Sequence, residues 1–182
     1  MIGPGLGVDD WAKHLWNSLQ KWLTSDTSRA TVPIVVDADG LRMLAQHPLA
    51  SNATILTPHP GEAASLLDIK SQQVQAERFE HVHKLAERYQ SVAVLKGNGS
   101  LIATSSAMAL CSNGNPGMAT AGMGDVLAGI TGACVVQPGY EPYRAVCEAV
   151  CLHASAADLA AKNGVHGLLA SDVIAHIPEV LQ

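Results

Sequence analysis

Apolar and polar positions along the chain fall into two kinds of segment. Short, nearly unbroken aliphatic and β-branched runs at 32–36, 54–57 and 91–95 predict strands covered on both faces, since a half-exposed strand would alternate. Between them, 39–46, 60–67 and 71–90 carry helix formers. Asp39 is placed to cap the first of these helices, and Pro60 suits the first turn of the second. Strand and helix in alternation imply a parallel sheet. The pattern changes after residue 96, where Gly97-Asn98-Gly99 separates two strand-like runs and predicts an antiparallel hairpin near residues 91–111. Three helices, about 125–136, 142–162 and 171–181, make the C-terminal third, with Gly164 and Gly167 punctuating the last pair. No repeat, low-complexity tract or linker divides the chain, so residues 1–182 are expected to form one domain.

Composition narrows the class. Apolar residues make up 48% of the 182 and charged residues 15%, which excludes a disordered chain. With 27 Ala and 16 Gly against 4% aromatics, the core must be built from small aliphatics that let layers approach closely. A net charge of −5 with no basic cluster excludes nucleic acid and anionic membranes as partners. Cys111, Cys134, Cys147 and Cys151 form no C-x-x-C pair and are expected to be free thiols in a reducing cytoplasm. The longest apolar run, 126–136, is too short to span a bilayer, and no targeting segment is evident. Trp11, Trp16 and Trp22 are expected in the core or an interface.

Five motifs carry candidate chemistry. In 113–125, four glycines lead into an apolar helix; glycine lets backbone approach a ligand, and the first helical N–H groups lack intrahelical partners, so an anion fits there. Asp125, at that helix start, is placed to accept a proton from a hydroxyl during phosphoryl transfer or elimination; capping is the alternative. In Thr57-Pro58-His59-Pro60-Gly61-Glu62 the two prolines hold His59 extended beyond a strand's carboxyl end, where open α/β sheets bind ligands; the alternative is a cap. Lys96-Gly97-Asn98-Gly99-Ser100 offers free backbone N–H groups and a cation to phosphates, or is a hairpin turn and nothing more. Gly3-Pro4-Gly5-Leu6-Gly7 either admits a diphosphate or simply turns the chain. Asp37 and Asp39 stand where magnesium or a hydroxyl is held, although capping suits Asp39 better. His81, His83, His153 and Asp158 have no metal-ligand spacing and are expected to be structural or solvated.

In this order, Gly3–Gly7, Val36–Asp39, Leu56–Glu62, Lys96–Gly99 and 115–129 resemble the ADP-dependent NAD(P)H-hydrate dehydratase family, a carbohydrate-kinase-like branch of the ribokinase-like superfamily. The tail 164–172 is similar too, so the resemblance spans nearly the whole chain. It implies a three-layer α/β/α fold and removal of water from the S epimer of hydrated NADH or NADPH, with ADP (in some members ATP) consumed to AMP and phosphate and Mg2+ accompanying the nucleotide. It implies Lys96, Gly97, Asn98, Gly99, Ser100, Gly122 and Gly124 around the adenine nucleotide. Gly5, Gly7, His59 and Asp125 fall around the hydrated substrate, with Asp125 as the catalytic base, and a homo-oligomer is expected.

The family domain ordinarily has a further N-terminal stretch whose strand delivers the first glycine turn, so the chain is expected to be an N-terminally truncated form of it. Ser100 stands where Thr is common, Ala121 where another Gly is frequent, and 153–158 is less glycine-rich than usual. Two alternatives stand beside the dehydratase: an ATP-dependent kinase of a small hydroxylated metabolite, and a non-catalytic nucleotide-binding remnant.

Overall fold

The computed structural model describes residues 1–49, 51, 53–139 and 141–182. Before the first strand stands a helix absent from the expectations above, α1 (Asp10–Thr24), capped by Asp9, whose carboxylate accepts from Ala12 N at 2.9 Å. Its three tryptophans do not all share a face, because spacings of five and six residues rotate Trp16 away from the other two. Trp16 is buried and donates its Nε1–H to His47 O at 3.0 Å. Trp11 and Trp22, eleven residues apart, face outward together.

The strands are β1 (Ile34–Val36), β2 (Thr54–Leu56), β3 (Val92–Leu95), β4 (Ser100–Ala103) and β5 (Met108–Cys111). They form one sheet in sequence order, parallel from β1 to β3 and antiparallel from β3 to β5. The expected hairpin is therefore present, turning at 96–99. β1 starts at Ile34 rather than Val32, since Pro33 has no N–H to place in a ladder. Ile2 adds a parallel bridge to Val36 on the outer side of β1, which sends the first glycine turn out at the same end of the sheet as Asp37.

The helices after α1 are α2 (Asp39–Gln46), α3 (Pro60–Leu67), α4 (Ser71–Ala76), α5 (Arg78–Tyr89), α6 (Met123–Val135), α7 (Pro142–Ala160) and α8 (Ala170–Val180). The single helix expected over 71–90 is two, broken at Glu77 (φ −131°, ψ 57°) with no glycine or proline to announce it. Asp39 does not cap α2; that place belongs to Ala38, and the Asp39 carboxylate instead accepts from Gly7 N–H at 2.9 Å. α6 begins at Met123, so Asp125 is its third residue rather than its first.

Period-two alternation divides the sheet between two cores. Val36, Leu56, Ala93, Leu95 and Leu101 face α1 to α5, while Val35, Ile55, Val94 and Ile102 face α6 and α7. The result is the expected α/β/α layering, ribokinase-like, with α8 packed outside on α7 and α6. Small residues make this third layer possible: α7 buries Ala145, Val146, Ala149, Val150, Ala154, Ala156 and Ala157, and side chains of that size let helix and sheet backbones pack closely.

Candidate functional site

The parallel strands deliver Asp37, His59 and Lys96 to one end of the sheet: Asp37 directly follows β1, His59 lies just past β2 and Lys96 directly follows β3. Beyond these carboxyl ends, where open α/β sheets bind ligands, lies a cavity of about 740 Å³. Its walls include Asp37, His59, Glu62, Lys96, the 97–100 loop, the 113–120 loop, Met123, Gly124, Asp125 and, from α7, Val150, His153 and Ala154.

Lys96 anchors the charge. Its Nζ lies 2.8 Å from the buried Asp37 Oδ1 and 3.7 Å from Glu62 Oε2. A Cβ built on Gly124 would stand 3.2 Å from that nitrogen, so the glycine lets the first turn of α6 close onto the ammonium group. Asp37 is thereby committed to Lys96. Ala38 next to it holds φ 48° and ψ −123°, a region that L residues occupy under strain, and it too lines the cavity.

His59 is the N-cap of α3. Its Nδ1 accepts from the N–H groups of Gly61 (3.0 Å) and Glu62 (3.3 Å), while Glu62 returns a carboxylate to His59 N–H at 2.7 Å. Capping and ligand presentation are thus compatible. With Nδ1 accepting, the neutral ring carries its proton on Nε2, which sits 3.4 Å from Glu62 Oε1 on a ring more than half exposed.

The glycine-rich loop ends in a helix start that the protein leaves open. Gly122, the N-cap of α6 (φ 84°), provides no side chain, and no other side chain among the described residues caps the helix, so its leading N–H groups keep their capacity for an anion. Asp125 is exposed and makes no hydrogen bond or ion pair with any described residue. The loop before it is tied to α7: Asp158 accepts from Gly114 N–H and from Asn115 Nδ2, each at 2.9 Å, and Asn113 Nδ2 donates to Ser155 Oγ at 2.9 Å.

Two residues enter the site without having been singled out for it. His153, expected to be structural or solvated, lines the cavity with its Nε2 buried and without a hydrogen-bond partner among the described residues. Burial, and then the charge of Lys96, pull its pKa down to about 4. Arg78, the first residue of α5, reaches three carbonyls of the 95–99 segment. A histidine on an apolar helix is legible in sequence, but its lack of a partner is not, and Arg78 carries no local signal at all. Of the residues expected at the site, Gly5, Gly7 and Gly122 are not in the cavity wall; Gly7 lies close by through Asp39.

The sequence profile of NAD(P)H-hydrate dehydratase, the Carb_kinase family, matches residues 1–179. The chain belongs to that family. It is 49% identical over 179 residues to the bifunctional NAD(P)H-hydrate repair enzyme Nnr of Coxiella burnetii, covering 97% of this chain and 35% of that protein. With the ADP-dependent (S)-NAD(P)H-hydrate dehydratase of Neisseria meningitidis it shares 37% identity over 182 residues, covering 95% of this chain and 59% of the relative. The chain therefore spans about a third of the bifunctional relative and under two-thirds of the other. The crystal structure of the ADP/ATP-dependent NAD(P)H-hydrate dehydratase of Bacillus subtilis, co-crystallised with ATP and Mg2+ and soaked with CoA, superposes with a TM-score of 0.83 at 31% identity, covering 99% of this chain and 64% of that one.

Proposed function

We propose that this chain dehydrates the S epimer of hydrated NADH or NADPH, consuming ADP or ATP. One observation carries the proposal: the unengaged Asp125 carboxylate stands at the uncapped start of α6, in the same cavity as the Lys96–Asp37 pair. The nucleotide runs along Lys96, Gly97, Asn98, Gly99 and Ser100 towards Gly122 and Gly124, with its terminal phosphate on the α6 N–H groups. The hydrated ring approaches Asp125 from the side of His59, Gly5 and Gly7. His59 presents its Nε2–H in a direction fixed by the cap, and Lys96, held by Asp37, meets negative charge on the transferring group.

Asp125 accepts the proton of the ring C6 hydroxyl as that oxygen attacks the terminal phosphorus, and the bond to the departing AMP breaks when ADP is the donor. Phosphate then leaves C6, a proton leaves C5, and the new C5–C6 double bond restores the dihydropyridine. Phosphate is the better leaving group, which explains why a dehydration consumes a nucleotide. Mg2+ arriving with the nucleotide phosphates would supply charge neutralisation there. Among the described residues no three His, Cys, Asp or Glu side chains gather into a cage.

The family match and the relatives' names favour the dehydratase over a small-metabolite kinase. Four free cysteines support a reducing, cytoplasmic setting, and the outward apolar face of Trp11, Leu15 and Trp22 supports a homo-oligomer.

The test is to incubate the protein with hydrated NADH and ADP and follow the return of dihydronicotinamide absorbance. Asp125→Asn is expected to lower turnover by roughly a hundredfold or more while ADP affinity stays within a few-fold. Turnover by the variant within a few-fold of wild type would remove Asp125 as the base.

A further inference from the structure

We propose that Arg78 is a positioning residue that holds the 97–99 turn from behind and orients the Gly99 N–H into the cavity for the nucleotide. This inference rests on the function proposed above only so far as the cavity takes an adenine nucleotide.

The geometry is specific. Arg78 Nη1 donates to Asn98 O at 3.2 Å, and Nη2 donates to Leu95 O at 3.3 Å and Gly99 O at 2.9 Å. No peptide bond among the described residues is cis, and in a trans peptide the carbonyl and the N–H point in opposite directions. Drawing the Asn98 carbonyl onto the guanidinium therefore turns the Gly99 N–H away from it, and the Gly99 carbonyl does the same to the Ser100 N–H. Leu95 illustrates the rule within the same segment: its carbonyl faces Arg78, and the N–H of that peptide, on Lys96, donates the opposite way to Pro58 O at 2.9 Å.

The donors of the turn are left open. The N–H groups of Gly97, Asn98 and Gly99 donate to no acceptor among the described residues, and all three residues line the cavity. Successive free N–H groups in a turn form an anion-binding concavity, and here a fixed cation stands behind the peptide dipoles. Gly97 lies flush on the guanidinium: at φ 149°, a Cβ there would stand 2.6 Å from Arg78 Nη1. Only a planar fork of donors spans three carbonyls from one side; an ammonium group reaching from the same place is a point charge without that span.

The test compares wild type, Arg78→Lys and Arg78→Ala. For both variants the KM for ADP is expected to rise roughly tenfold or more, while kcat at saturating ADP and the KM for hydrated NADH stay within about threefold. Millimolar guanidinium is expected to restore much of the ADP affinity of Arg78→Ala. A merely structural arginine would lower the folded fraction without a selective change in the ADP KM and without rescue, and that result overturns the proposal. Calorimetric titration with ADP keeps the two proposals apart. If wild type binds ADP without dehydrating the hydrate, and Arg78→Lys binds about tenfold more weakly, the positioning role stands and the dehydratase function falls. If ADP binds both proteins equally, the positioning role falls whatever the enzyme does. Should Arg78→Ala fail to fold, Arg78→Lys decides alone.

Discussion

At the scale of single residues, His153 shows how a site imposes a cost on the fold. Its imidazole titrates near 6.5 in the unfolded chain but near 4 inside the cavity wall, because burial disfavours the charged form and Lys96 adds repulsion. Between these values the unfolded chain binds the extra proton, so stability is complete above pH 6.5 and falls as the pH drops towards 4. The whole window is worth at most about 3 kcal/mol. Urea unfolding at pH 7 and pH 5 is expected to show wild type losing about 2 kcal/mol more than His153→Asn; equal losses would mean that the ring is not buried neutral. The neighbouring polar groups lie closer to what the sequence announced. His59 was legible because Pro58 and Pro60 fix its backbone, and its dual role follows from the ring's two nitrogens, one spent on the cap and one presented outward. Asp39 was misassigned because Gly7, thirty-two residues away, competes for its carboxylate more effectively than its own helix does.

At the scale of elements, α6 is the decisive piece. Its first turn contains Gly124, without which Lys96 would be displaced, and its N-cap Gly122 sits at φ 84°, where a side chain is strained. Gly122→Ala also brings a Cβ to 3.2 Å from the Ala170 Cβ. The variant is expected to lose about 1–2 kcal/mol of stability, read from its urea midpoint; an unchanged midpoint would show that the helix start relaxes freely. The motif at 113–125 was readable because glycine density followed by an apolar helix is a local pattern. What keeps its loop in place was not readable, since the Asp158 carboxylate arrives from α7, more than forty residues along the chain. The break at Glu77 went unannounced for a related reason. Neither proline nor glycine marks it, and its consequence, Arg78 at the head of α5 under the hairpin turn, exists only once α5 has docked.

At the scale of the whole molecule, the cavity is a junction between layers: β1, β2 and β3 supply the charged groups, the hairpin turn the open N–H groups, and α6 with α7 the opposite wall. A ligand that binds only this assembled state stabilises it by mass action. ADP at a hundredfold excess over its Kd is expected to raise the unfolding midpoint by roughly 5–10 °C in wild type and in Asp125→Asn alike. No shift in either protein would deny the cavity its nucleotide. The sequence by itself determined what short-range physics decides. Unbroken aliphatic runs made buried strands, Asn98 between two glycines made a hairpin turn, and abundant alanine made thin layers. The tertiary structure alone decided which distant groups meet. Lys96 finds Asp37 across 59 residues, and Arg78 finds the turn across 20 and 21. Such pairs follow no period along the chain, because the geometry that joins them is created only when separate elements pack onto one sheet.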